Sequence, residues 1–227
     1  MLPLRDNVPT RSFPVVTLAL IATNVAVWVL YQLPNVDRSV NDLGYHPCEV
    51  VGDCPGVSDG WLLTLFTSMF LHGGWAHLLG NMLFLWIFGN NVEDAMGRLR
   101  YLAFYFLAGL AATATQSIVT LWFASPADAR LANVGASGAI AGVLGAYFVL
   151  LPHARVLTLI FFVVIEVPAV LVLGLWFVFQ LWSGSASFEH PEEGGGVAFF
   201  AHIGGFVFGM LTVNLFSRRR SAVPGFR

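Results

Sequence analysis

The sequence predicts an all-α membrane protein, a bundle of six transmembrane helices with a first outer loop partly embedded in the bilayer. Three observations predict it. Hydrophobic residues make up 57% of the 227 positions and charged residues 11%, against roughly 25% charged in a soluble domain. The apolar residues are gathered into long runs. Those runs approach the about 20 residues that a helix rising ~1.5 Å per residue needs to cross ~30 Å of hydrocarbon.

The elements follow in order. Residues 1–12 form a cytoplasmic N-terminal segment, 13–216 a membrane domain and 217–227 a cytoplasmic basic tail. The first span covers Phe13 to Tyr31. It is long enough to cross, and no small-residue cleavage site follows a short apolar core, so it is not a cleavable signal. Trp61 to Leu71 is apolar but too short to span, which suits a re-entrant or interfacial element. The second span runs from Trp75 to Val92 and the third from Tyr101 to Phe123. The fourth, Ala136 to Leu151, is short, so its start lies below the membrane surface. The fifth covers Val156 to Trp182 and places Glu166 near mid-membrane, with Pro168 available to kink the helix. The sixth covers Ala198 to Phe216.

Arginine orients this bundle. With the N-terminus inside, Arg5, Arg11, Arg98, Arg100, Arg155, Arg218, Arg219, Arg220 and Arg227 fall on the inner side, and only Arg38 and Arg130 fall outside. The positive-inside rule favours that arrangement, and the expected location is a bacterial cell membrane with both termini cytoplasmic. The long connections, about 33–60, 124–135 and 183–197, then lie outside. Cys48 and Cys54 share the first of them, where a small disulfide loop and two free thiols are both open readings. The net charge of −2 says nothing about nucleic acid, but there is no basic block before Arg218, and no nucleic-acid partner is expected. Arg218, Arg219 and Arg220 follow an apolar run and read as a membrane-side anchor.

Polar residues inside a bilayer are costly, and each asks for a reason. Three groups stand out: His77-Leu-Leu-Gly-Asn81 near the start of span two, Gly135-Ala136-Ser137-Gly138 at the start of span four, and Ala201-His202-Ile203-Gly204-Gly205 near the start of span six. All three spans run from outside to inside, so the three groups share one depth, recessed from the outer surface. Gly138 and Gly142 lie four apart on span four, and Gly205 and Gly209 four apart on span six. Small residues so spaced let membrane helices approach closely. His202, Gly205 and Gly209 share a face, which brings His202 toward Ser137 across 65 positions of sequence.

This set suits acyl transfer. A serine hydroxyl is a poor nucleophile until a base takes its proton, and histidine serves near neutral pH. The oxyanion that follows needs donors. His77 and Asn81, at i and i+4, can supply them from one helix face. The Ser137 N–H lies at a helix N-terminus, where negative charge is favoured. No carboxylate adjoins His202 in sequence, so the reading is a Ser–His dyad without a third member.

The residues just named resemble the rhomboid family of intramembrane serine proteases: GASG around Ser137, the His77-xxx-Asn81 pair, His202-xx-Gly205-xxx-Gly209, and His72 five residues before His77. Their order and placement match from about Phe13 to Phe216. The resemblance implies catalysis by Ser137 and His202, oxyanion assistance from His77 and Asn81, and cleavage of membrane-anchored proteins at or near their transmembrane segments. It implies no cofactor and no metal. The sequence departs from many members at Ala141, where an aromatic residue four positions after the nucleophile supports the histidine ring. It also lacks the Trp-Arg pair that some members carry in the first outer loop.

Other readings stand beside these. Ser137 could be a packing residue bonded to its own helix, and Asn81 an interhelical polar contact. His72, whose role is divided between a loop contact and the cavity, could join His77 and His202 as metal ligands, although no Cys, Asp or Glu completes a set. Glu93 reads as structural, pairing with Arg98 or Arg100. A non-proteolytic relative that binds transmembrane clients is the main alternative function. A transporter built on Glu166 is a third.

Overall fold

The computed structural model describes residues 1–52, 54, 60–189 and 198–218, with only the backbone of 188 and 189. Arg219, Arg220 and Arg227 lie outside the described residues, as does most of the expected connection 183–197. The chain is a multi-pass helical membrane bundle. In order it forms β1 (Leu2–Asp6), α1 (Val15–Gln32), α2 (Val36–Leu43), α3 (Trp61–Phe70), α4 (Trp75–Met96), α5 (Arg98–Phe123), α6 (Ser137–Leu150), β2 (Arg155–Ile160), β3 (Val163–Pro168), α7 (Ala169–Glu189) and α8 (Phe199–Phe216). Among the described residues, four helices, α1, α5, α7 and α8, are long and apolar enough to cross a membrane alone. The bent pair α3 and α4 passes that test jointly, turning by 80° at the break. Gly73 and Gly74 occupy the break. The apolar α6 has 14 residues, a rise of only ~21 Å.

The fifth expected span is corrected at its start. Residues 155–168 are an antiparallel hairpin, and the helix begins at Ala169. The physical reason is local. Val156, Val163, Val164, Ile165 and Val167 are β-branched and favour a strand, while Ala169–Ser187 alone supplies a full span. Glu166 is therefore an exposed strand residue opposite Leu157, well away from mid-membrane.

β1 completes a three-stranded sheet in the order β1-β2-β3. Its anchor is Asp6, whose carboxylate accepts from the Tyr147 hydroxyl at 2.6 Å and from Asn91 Nδ2 at 2.5 Å. Burial pushes the Asp6 carboxyl above its usual range, and these donors hold it partly down. Nearby, Glu93 does not pair with arginine as expected. Its carboxylate accepts from the Val16 and Thr17 N–H groups at 3.0 and 2.8 Å and from the Thr17 hydroxyl at 2.8 Å. A buried anion thus caps the first turn of α1, where free N–H groups and the helix dipole favour it.

The bundle centre is α6, buried from Gly138 through Tyr147. Glycines press it against α8. A methyl built on Gly205 would overlap the Gly138 carbonyl, one on Gly209 the Gly142 carbonyl, and one on Gly145 the Phe206 carbonyl. Neighbouring α7 is held to α8 by the stacked rings of Phe177 and Phe206, 4.5 Å apart.

Candidate active site

The glycine contact sets the site. Ser137 is the first residue of α6, immediately before Gly138, and His202 lies three residues before Gly205 on α8. Backbone contact at Gly138 and Gly205 therefore draws the hydroxyl and the imidazole into one neighbourhood. Both side chains are partly buried. No hydrogen bond joins Ser137 to His202 among the described residues. Unliganded catalytic hydrogen bonds are often long and tighten only around substrate.

The loop into α6 is held from two earlier segments. Asn133 exchanges two backbone hydrogen bonds with Tyr45, and the Gly135 N–H donates to the Ser68 carbonyl at 2.9 Å. Gly135 adopts φ 128°, a conformation that a side chain would strain. A methyl there would also stand 2.7 Å from His77 Nε2 and 3.5 Å from Ser137 Oγ. His77, Gly135 and Ser137 thus meet at one point, and only glycine leaves the gap open.

The two histidines are arranged in opposite senses. His77 Nδ1 accepts a long, 3.4 Å hydrogen bond from the Gly73 N–H, so its proton belongs on Nε2, the atom that faces Gly135. His202 Nδ1 lies 2.8 Å from Gln180 Oε1 on α7. A carboxamide oxygen only accepts, so Nδ1 carries the proton and Nε2 keeps its lone pair. One ring is poised to donate and the other to accept.

Supporting residues complete the constellation. His72 is fully buried, with its ring edge-on to His77 at 5.0 Å and neither ring nitrogen hydrogen-bonded. Gln32 clamps its backbone, accepting from the His72 N–H at 2.8 Å and donating to its carbonyl at 3.1 Å. Asn81 is buried, and its Nδ2 has no hydrogen-bond partner. A buried donor left unpaired costs about 1–3 kcal/mol. Gln116 on α5 accepts from the Ala201 N–H at 3.2 Å, beside His202. A cavity of about 40 Å³ opens at Ser137, lined in part by Ser68, Gln116, Gly135 and Ala201. That holds a few waters by the usual ~10–15 Å³ threshold for one. Cys48 and Cys54 are joined as a disulfide in the loop after α2. No group of three metal-ligating side chains occurs among the described residues.

Sequence reasoning missed Gln180 and Trp176. The departure at Ala141 left the His202 ring without its expected support. Ala141 instead faces Gly205, where a ring would push α6 and α8 apart. Support comes from α7: Gln180, and Trp176 with its ring 5.8 Å from the imidazole. The signal was available, since a buried Gln inside an apolar span is as costly as the residues that were singled out.

A family model described as "Rhomboid domain" matches residues 59–219. The chain is 32% identical over 200 residues to Rhomboid protein 1, mitochondrial, of Saccharomyces cerevisiae, covering 85% of this chain and 51% of that protein. It is 31% identical over 137 residues to YdcA of Bacillus subtilis, named as a candidate rhomboid protease, covering 60% and 62%. It is 30% identical over 163 residues to Rhomboid-like protein 11, chloroplastic, of Arabidopsis thaliana, covering 69% and 53%. The chain thus spans less than two thirds of the length of these relatives.

Proposed function

The chain belongs to the rhomboid family, and from that premise we propose that it is an intramembrane serine endopeptidase cutting membrane-anchored proteins within or near their transmembrane segments. Ser137 is the nucleophile and His202 the base. The observation that supports the reading is the glycine contact between α6 and α8, made next to Ser137 and one helical turn from His202.

The steps follow from local chemistry. His202 Nε2 takes the Ser137 proton as Oγ attacks the substrate carbonyl. Negative charge develops on the carbonyl oxygen, and three donors answer it: His77 Nε2–H, Asn81 Nδ2–H and the Ser137 N–H at the α6 N-terminus. His202 then hands the proton to the leaving amine. Water attacks the acyl-enzyme with His202 again as base, and the small cavity beside Ser137, which Ser68 and Gln116 also line, has room for it. No cofactor or metal enters these steps. The N-terminal sheet faces the cytoplasm and the site opens toward the outer side of a bacterial cell membrane.

Cleavage of a membrane-anchored reporter in liposomes tests this. Ser137→Ala and His202→Ala should each abolish it, and a fluorophosphonate probe should label wild type but not Ser137→Ala. Near-wild-type cleavage by either variant defeats the mechanism. A wild-type chain that takes no label yet retains a transmembrane client is the client-binding relative instead.

A further inference from the structure

We propose that Gln180 is a positioning residue that fixes the tautomer and plane of His202, a role resting on the peptidase reading above. The amide is only 4% exposed and its oxygen sits 2.8 Å from His202 Nδ1. Its other end is spoken for: Nε2 reaches the Trp176 carbonyl, one helical turn earlier, at 3.5 Å. That second bond turns the oxygen rather than the nitrogen toward the ring. Trp176 lies beside the ring, tilted by 38° at 5.8 Å, so α7 supplies both the hydrogen bond and a packing neighbour of the imidazole. A neutral amide suits this place. A carboxylate would be a buried charge beside an apolar stretch, whereas the carboxamide selects the same tautomer without one. Catalysis thus draws on a third helix, and the dyad has a third, uncharged member.

The test compares Gln180→Leu with Gln180→Glu in the full chain in liposomes. Leu should lower kcat on the order of tenfold or more with KM unchanged, by analogy with other histidine-orienting partners. Glu accepts the same hydrogen bond and should recover most of that loss. Nitrogen-15 NMR of labelled histidine should report Nδ1–H for His202 in wild type and a mixed tautomer in Gln180→Leu. Wild-type kcat in Gln180→Leu, or an unchanged His202 signal, overturns the assignment. If Ser137→Ala also keeps activity, the peptidase reading falls, while the nitrogen signal still decides Gln180.

A second inference rests on the sheet alone. The geometry points to the β2–β3 hairpin tip as an anchor in the lipid interface. Phe161 and Phe162 form the turn, 90% and 98% exposed. Phe161 sits at φ 53°, where Gly or Asn is at home and a bulky side chain is disfavoured. Neither turn chemistry nor core burial explains two phenylalanines there. Val156 and Thr158 are fully buried and Ile160 packs on the core, so this face of β2 lies against the bundle along its whole length. The hairpin therefore lies across the end of the bundle. The same face of β3 carries Val163 and Ile165, which remain 61% and 43% exposed. They are left uncovered by the bundle. β3 runs directly into α7, whose exposed Leu171, Leu175 and Val178 continue the apolar surface. The opposite face presents Arg5, Arg155 and Glu166 around an open cavity of about 470 Å³. Aromatic rings at the tip, exposed apolar Val163, Val164 and Ile165 beside it, and charge confined to the far end of the hairpin match an interfacial element.

The disulfide leaves no native thiol free among the cysteines, so Phe162→Cys and Glu166→Cys each accept one spin label. In phosphatidylcholine–phosphatidylglycerol vesicles, the label at 162 should collide more with oxygen and less with a nickel chelate than the label at 166. The oxygen-to-nickel ratio should differ several-fold. Equal ratios mean the tip is in water and overturn the proposal. Dipolar coupling between labels at 162 on separate molecules also overturns it, in favour of a second copy.

Discussion

The two ends of α6 handle polarity in opposite ways. At the sheet end, Glu93 is a buried acid and Asp6 a half-buried one, and between them they accept from donors on α1, on Asn91 and on Tyr147. At the site end, Asn81 Nδ2 and both His72 ring nitrogens are buried with no partner. The contrast teaches how to sort polar groups in a membrane bundle. Paired groups fasten helices together. On the proposed mechanism, an unpaired donor beside Ser137 stands ready for charge that exists only during reaction.

Substitutions should therefore separate stability from rate. The largest effect is expected at Asn81: Asn81→Ala should cost on the order of 10²–10³ in kcat, as for other oxyanion donors, with melting temperature almost unchanged. Glu93→Ala should show the reverse. It leaves three donors unanswered and should cost about 3 kcal/mol of stability, read by thermal unfolding in detergent, while folded protein keeps its kcat. Equal destabilisation by both variants would erase the contrast.

Gly209→Ala probes the contact that joins the two ends. Its methyl meets the Gly142 backbone, and over-packing of this kind costs about 1–3 kcal/mol. Because it lies nearly two turns below His202, kcat should fall less than in Gly205→Ala. Equal losses would mean that the helices move as rigid rods.

The smallest effect concerns pH. The folded Asp6 carboxyl lies above its unfolded value because of burial. The resulting stability is fully present below the unfolded pKa, ~3.9, and is lost as pH rises through the folded one. Wild type should gain melting temperature relative to Asp6→Asn on acidification from neutral pH. A difference independent of pH would show that Asp6 is not desolvated.

Much of this was legible in sequence because membrane spans and small-residue spacing are one-dimensional signals. Apolar runs located α1, α5 and α8, and the short run at Trp61 marked the bent segment. GASG, His77, Asn81 and His202 stood out because polarity is conspicuous in an apolar run. The hairpin was missed because a β-branched apolar stretch joined to a span reads as more span. Nothing in hydropathy separates Ile165 on a strand from Leu171 on a helix. Glu93 was misassigned because its partners are backbone N–H groups on α1, which carry no sequence label. Gln180 was visible as a polar residue, but its meaning depended on how α7 is rotated against α8.

The bridges from Tyr45 and Ser68 to Asn133 and Gly135 bear on biogenesis. The backbone entering α6 takes its shape from partners some 65 to 90 residues earlier. Synthesis proceeds from the N-terminus, so Tyr45 and Ser68 are already in place when this segment emerges. His202 lies on α8, the last helix among the described residues, so the proposed dyad is complete only once that final span is inserted.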